Sequence, residues 1–212
     1  MSRRVVCWRH GQTRWNLEHR FQGHTDIELD ETGVAQAARA ASLLASLKPS
    51  LIVSSDLRRA YDTAAHLARL TGLEIHVDKD LRERSGGDWE GLTSQEIKER
   101  WPVEYANWTI PNGEPAATVA VRVADAIRRW ADRLEDEDGV LVVVSHGAAI
   151  RFGLAHLLGL PEELWHVLGG LSNCSWSVVE QSRSGWRLME HNAGTLPEPV
   201  RSDDIAVQTE ES

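Results

Sequence analysis

Two histidines stand directly behind short apolar runs. His10 follows residues 5–8 with Arg9 before it and Gly11 after it, and His146 follows residues 141–144 with Ser145 before it and Gly147 after it. A run of this kind reads as a buried strand that delivers its polar end to a loop. In an open α/β sheet the crevice at the carboxyl ends of the strands is where ligands bind, so both rings point to one place. A third apolar run, residues 51–53, leads through Ser54-Ser55-Asp56 to Arg58 and Arg59. Arg9, His10, Arg59 and His146 would then converge as a cationic pocket rich in hydrogen-bond donors, chemistry suited to a phosphoryl group. Gly147 opens a helix behind His146, and the free backbone N–H groups of a helix start favour an anion.

Other chemistries lack their anchors. The chain has no G-x-x-x-x-G-K-[ST], no G-x-G-x-x-G and no G-x-S-x-G, which removes the motifs of P-loop, dinucleotide-binding and serine-hydrolase readings. The remaining histidines show no H-E-x-x-H or paired spacing, so no metal site is expected.

The elements that position these residues are strands alternating with helices. Asp30 is an expected N-cap for a helix whose apolar positions run over residues 34–47, with Pro49 beyond it. Ser54-Ser55-Asp56 reads as the N-cap cluster of a second helix that ends at Thr71-Gly72. Residues 74–77 alternate as a strand. Residues 80–117 carry several glycines and prolines and are expected to be irregular, apart from a short helix opened by the capping box Thr93-x-x-Glu96. Val119, Val123, Ile127, Trp130 and Leu134 mark one face of a longer helix. Two alternating segments near residues 174–179 and 186–190 are expected to pair as a closing hairpin. The fold class is therefore α/β, a three-layer sandwich with a central, mostly parallel mixed sheet flanked by helices. Residues 1–194 are read as a single domain. From Thr195 the chain has five acids, two prolines and one arginine, which predicts a disordered tail over 195–212.

With 212 residues, 42% of them hydrophobic, a core needs neither disulfides nor a structural metal. Cys7 and Cys174 sit far apart in apolar stretches and read as reduced core residues of a cytoplasmic protein. Lys plus Arg is 23 against 32 Asp plus Glu, a formal charge of -9, which argues against nucleic acid and anionic membranes as partners. No run approaches the roughly 18 apolar residues of a membrane span. The partner expected is a small phosphorylated metabolite; no cofactor is expected, and a homodimer is left open. Nine tryptophans stand against two Phe and two Tyr. Trp101 and Trp108 fall in the irregular segment expected to overhang the phosphate pocket, where an indole face would pack on a sugar or simply within a short helical cap.

Arg9-His10-Gly11-Gln12-Thr13, with Asn16 after it, resembles the Arg-His-Gly signature of the histidine phosphatase superfamily, phosphoglycerate mutase-like branch. Gln22-Gly23, Ser54-Ser55-Asp56-Leu57 with Arg59, Leu81-Arg82-Glu83 with Gly87-Asp88-Trp89-Glu90-Gly91, and Ser145-His146-Gly147 match further family segments in order. The resemblance implies that His10 is the nucleophile of a phosphohistidine intermediate. It implies that Arg9, Arg59 and His146 bind the transferring phosphoryl group, and that Glu83 is the proton donor. Asn16, Gln22, Gly23 and the Gly147 amide are the supporting contacts it implies. The form Gly-Asp-Trp-Glu-Gly-Leu-Thr is similar to the phosphatase branch, without the basic insertion of the phosphoglycerate mutases, so hydrolysis is expected over mutase chemistry. A non-catalytic phospho-ligand binder is the further alternative; His10 and Glu83 are both present. Residues 54–64 and 168–176 are similar to the actinobacterial glucosyl-3-phosphoglycerate phosphatases, which points to a phosphosugar or phosphoglycerate substrate.

Overall fold

The computed structural model describes residues 3–136 and 138–194. The acidic tail expected from residue 195 lies outside the described residues. In chain order the elements are β1 (Arg3–Arg9), α1 (Arg14–Leu17), α2 (Glu31–Ala45), β2 (Leu51–Ser54), α3 (Arg58–Thr71), β3 (Ile75–Val77), α4 (Ser94–Arg100), α5 (Pro102–Ala106), α6 (Ala116–Ala131), β4 (Val140–Ser145), α7 (Gly147–Leu157), β5 (Trp176–Ser182) and β6 (Gly185–Ala193). Short 3-10 turns lie at Lys79–Leu81, Gly87–Trp89 and Glu162–Val167.

The strands form one mixed sheet in the order β3-β2-β4-β1-β5-β6. β3, β2, β4 and β1 run parallel, while β5 and β6 are antiparallel. β4 inserts between β1 and β2 and is buried along its whole length, which is why it reads as a continuous apolar run with no alternation. Side chains of β1, β2 and β4 go alternately to two faces. Val5, Cys7, Val53, Leu141 and Val143 pack with the buried residues of α6 and α7, whereas Val6, Trp8, Ile52, Val142 and Val144 pack with those of α2 and α3. Each such side chain is worth roughly 1.5–3 kcal/mol when fully buried, so the two helical layers fix the sheet and with it the strand ends. Burial pushes the Cys7 thiol up to about 12, a core residue with no use as a nucleophile.

Several local expectations change. α2 is capped as expected, with the Asp30 carboxylate accepting from Gly33 N at 2.7 Å. The Ser54-Ser55-Asp56 cluster does not supply the cap of α3: the cap position is Leu57, and Arg58 N donates to Asp26 Oδ1 at 2.7 Å. Asp56 is drawn instead into an ion pair with Arg82, whose Nε donates to it at 2.7 Å. Helix α1 interrupts the loop between β1 and α2. Its cap box pairs Thr13 with Asn16 in place of the usual Glu or Gln, and the helix is a single turn. Residues 84–115 are more regular than their breakers suggest. α4 starts from the Thr93–Glu96 box, and α5 begins on Pro102, which the first helical turn tolerates. The hairpin closes as expected, with Ser182 opposite Gly185, but Cys174 falls before it at a positive φ of 57°.

Candidate active site

The register of β1 on β4 places Arg9 opposite Ser145, so the next residue on each strand, His10 and His146, emerges side by side. Their rings meet edge-on with centroids 5.2 Å apart. This is the crevice where strand order reverses, because the chain leaves β1, builds β2 and β3, and returns to insert β4 next to β1. Gly11 follows immediately, and its backbone lies so close to α2 that a Cβ there would stand 2.5 Å from Gly33 O. The close approach fixes the loop behind His10.

His10 is held by four hydrogen bonds. Its N–H donates to Ser145 O at 3.0 Å, and its carbonyl accepts from Cys174 N at 3.2 Å and from Asn173 Nδ2 at 3.1 Å. Its ring Nδ1 lies 2.7 Å from Gly11 O. A carbonyl oxygen can only accept, so Nδ1 carries the proton and Nε2 keeps the lone pair. Burial, then the charges of Arg59 and Arg9, hold the ring well below the ordinary histidine range, in its neutral form. His146 is fully buried, caps the start of α7, and bonds Ser55 Oγ through Nε2 at 2.9 Å. Burial and the Arg59 charge lower it in the same direction.

Arg9, His10, Asn16, Gln22, Gly23, Arg59, Glu83 and Gly147 line one cleft of about 530 Å³ including its open mouth, together with Phe21, Ala148, Gly170 and Leu171. His146 is the one expected site residue set back from the cleft wall, behind His10 and beneath the start of α7. Arg9 donates through Nη1 to Leu171 O. Arg59 is fully buried, donating to Thr25 O at 2.9 Å and Gly23 O at 2.8 Å. Burial pushes it down to about 10 against the opposing pull of Glu83, which leaves it cationic at neutral pH. The Nε groups of Arg9 and Arg59 are buried and make no hydrogen bond within the described residues. Buried donors of this kind cost free energy until an acceptor meets them, and a phosphoryl group brings several acceptor oxygens. Glu83 reaches from the loop after β3 to the start of α7, where its carboxylate accepts from Ala149 N at 2.9 Å and Ala148 N at 3.2 Å.

Sequence reasoning missed the support of Arg59. The loop carrying Gly23 and Thr25 is held by Glu90, whose carboxylate accepts from His24 N at 2.9 Å, Thr25 N at 3.0 Å and Gly86 N at 2.9 Å. Gly23 has φ +52°, and a Cβ there would lie 2.1 Å from Glu90 Oε1, so only glycine fits between Arg59 and this clamp. Gly170 and Leu171 were also missed as wall residues, since an apolar stretch with paired glycines carries no chemical signal of its own. Trp101 and Trp108 do not line the cleft. Both pack with Trp89, Ile97 and Ile110 in a separate small cluster, Trp108 lying 5.4 Å from the Trp89 ring. No group of three or more His, Cys, Asp or Glu that could hold a metal ion occurs among the described residues.

The histidine phosphatase superfamily (branch 1) profile matches residues 5–194. The chain belongs to this superfamily. It is 44% identical over 191 residues to glucosyl-3-phosphoglycerate phosphatase of Mycobacterium tuberculosis, covering 84% of this chain and 85% of the relative. A probable phosphoglycerate mutase of Enterobacter sp. is 37% identical over 192 residues, covering 86% of both. Among solved structures, a mycobacterial glucosyl-3-phosphoglycerate phosphatase in complex with VO3 superposes with a TM-score of 0.85 at 42% identity, covering 91% of this chain and 100% of that one. These likenesses support a phosphatase of the superfamily over the mutase reading.

Proposed function

We propose that this superfamily member hydrolyses small phosphomonoesters in two displacements through a phosphohistidine at His10, with no metal. The observation that carries the proposal is the neutral His10 ring, its proton fixed on Nδ1 by the Gly11 carbonyl, set between the buried guanidinium groups of Arg9 and Arg59. His10 Nε2 forms a bond to phosphorus as the ester P–O bond breaks, and Glu83 gives its proton to the departing alkoxide oxygen. Glu83 then takes a proton from water, the water oxygen bonds to phosphorus, and the P–N bond breaks to release phosphate. Arg9, Arg59 and the Gly147 amide meet the charge on the equatorial oxygens, the part a divalent ion plays elsewhere, and His146 would join them only through Nδ1, which makes no hydrogen bond within the described residues. Asn16, Gln22 and Gly23 support the bound group.

The substrate class is a phosphorylated sugar or glycerate, glucosyl-3-phosphoglycerate first, which the names of the similar proteins support. Because Trp101 and Trp108 are spent in their own cluster, the sugar would be recognised by the cleft mouth, where Phe21, Asn16, Gly170 and Leu171 stand. No helix among the described residues is long and apolar enough to cross a membrane; a cytoplasmic enzyme acting on a dissolved metabolite, alone or as a homodimer, completes the proposal. A phosphate-release panel of phosphosugars, phosphoglycerates and p-nitrophenyl phosphate tests it. The expected result is hydrolysis with the highest kcat/KM on glucosyl-3-phosphoglycerate. Conversion of 3- to 2-phosphoglycerate faster than phosphate release would make the protein a mutase.

A further inference from the structure

Arg122 lies on α6, outside the cleft, and was singled out by nothing in the sequence. Its guanidinium has five N–H donors, and all five are engaged. Nη1 donates to Asp80 O and Arg82 O, both at 2.7 Å, Nη2 to Glu83 O at 2.9 Å and Glu114 Oε2 at 2.7 Å, and Nε to Glu114 Oε1 at 2.7 Å. Three backbone carbonyls from one short stretch are thus turned toward a single point, an arrangement in which their dipoles repel unless a cation sits there. Glu114 holds the next residues of the same loop: its N–H donates to Ser85 O at 3.0 Å, and its carbonyl accepts from Arg84 Nε at 2.7 Å. His24 adds a ring N–H to Glu83 O at 2.8 Å. The pair is largely buried, with side chains 17% and 16% exposed. Burial pushes the Glu114 carboxyl up, but the Arg122 fork pulls it further down, so that it stays ionised.

We propose that Arg122, locked by Glu114, is a positioning residue for proton transfer: it fixes the backbone of residues 80–83 so that the Glu83 carboxylate stands at the cleft beside the start of α7. The inference rests on reading Glu83 as the general acid. Arg122 does not line the cleft and touches Glu83 through its backbone oxygen; its charge also adds to those that lower the His146 ring, an effect the two kinds of ester would share. Lysine cannot replace it, since three donors on a point charge cannot serve three carbonyls and a two-pronged carboxylate together.

The test compares leaving groups. The leaving group of an alkyl phosphate such as 3-phosphoglycerate is a poor alkoxide that needs the Glu83 proton, whereas p-nitrophenolate departs with little protonation. Arg122→Lys and Arg122→Gln are expected to lower kcat/KM on the alkyl ester by about 100-fold, the cost of a misplaced catalytic group, and on p-nitrophenyl phosphate by less than about 3-fold. In the Glu83→Gln background the Arg122→Lys change should cause little further loss, because its effect passes through the group already removed. Equal losses on the two esters, or losses that multiply in the double variant, would overturn the inference and make Arg122 a general support of the fold. Glu114→Gln keeps the arginine and the shape of the pair, and guards against Arg122 variants that fail to fold. A loss of about 10-fold confined to the alkyl ester supports the inference, and a loss on both esters or on neither contradicts it. If Glu83→Gln itself fails to discriminate between the esters, the acid reading falls and takes this inference with it. If Glu83→Gln discriminates and the Arg122 variants do not, the inference alone fails.

Discussion

The cleft floor and the segment over residues 84–115 sit next to each other and are held by different means. In the floor, His10 and His146 are fixed by strand register and Arg59 by two carbonyls of a loop, so the sheet and its helices decide where the charged groups stand. In the segment, Trp89, Trp101, Tyr105 and Trp108 are held by one another around Ile97 and Ile110. Aromatic area there is consumed in building a satellite core, and what the segment gives the cleft is support: Glu90 with the glycine turn beside it, and Glu114, which holds Arg122. A large side chain near a site is therefore a poor guide to contact with the ligand, while a charged one whose donors are buried at a strand end is a good one.

The comparison breaks most visibly at Arg59. Arg59→Gln removes a buried cation from the floor and is expected to lower kcat/KM about 1000-fold, the upper range for losing a transition-state donor, with little change in the fluorescence of the tryptophan cluster. A loss below about 10-fold, small on that scale, would mean that Arg9 alone carries the phosphoryl charge.

Glu90 is where the two regions meet. Glu90→Gln keeps the shape but weakens the acceptor for the His24 and Thr25 N–H groups that set the Gly23–Thr25 loop, and hence Arg59, and for the Gly86 N–H that ties it to the glycine turn. A fall of about 10- to 100-fold in kcat/KM is expected, the range for a displaced catalytic group; steady-state kinetics beside an unchanged melting temperature would separate it from unfolding.

The two regions should also respond differently to acid. His10 and His146 are held well below their ordinary value in the fold, whereas an unfolded histidine titrates near about 6.5. Below that pH the unfolded chain takes up protons that the folded chain refuses, so stability falls as the pH drops. Above it both states are neutral and these groups contribute no slope. Urea unfolding midpoints at about pH 7.5 and pH 5.5 bracket this range, and the fall between them should be smaller in His146→Gln. An equal fall in that variant would assign the slope to other groups. The aromatic cluster contains no histidine and contributes nothing to it.

The smallest effect is expected at Trp108. Trp108→Ala should cost stability, less than the 3–5 kcal/mol of a fully buried tryptophan, because the residue is half-buried against Trp89 and Tyr105. Activity on p-nitrophenyl phosphate should stay within about 2-fold, as for a position outside the chemistry. A large change in substrate preference would show that the indole reaches the sugar after all.

What could be read in advance follows the same division. The strands, the two helical layers and the convergence of Arg9, His10, Arg59 and His146 were legible, because apolar runs with a polar residue at the carboxyl end have few other uses in an α/β chain. Glu83 was legible only through its resemblance to a family segment. Glu90, Glu114 and Arg122 were not legible, since an ion pair or a clamp on backbone N–H groups leaves no periodicity and its partners lie up to 66 residues away. The cap of α3 was misassigned for the same reason: Asp26 reached it from another loop, and Asp56 found Arg82 instead.

The central claim is that His10, neutral and with Nε2 free to attack, takes the phosphoryl group. Rapid quenching during turnover of a phosphomonoester, without acid, followed by mass spectrometry of the peptides measures this directly. The account predicts phosphate on His10, lost again on further incubation and absent from His10→Ala, which should be inactive on the same ester. Phosphate on another residue, or a His10→Ala variant that keeps most of its activity, would contradict it.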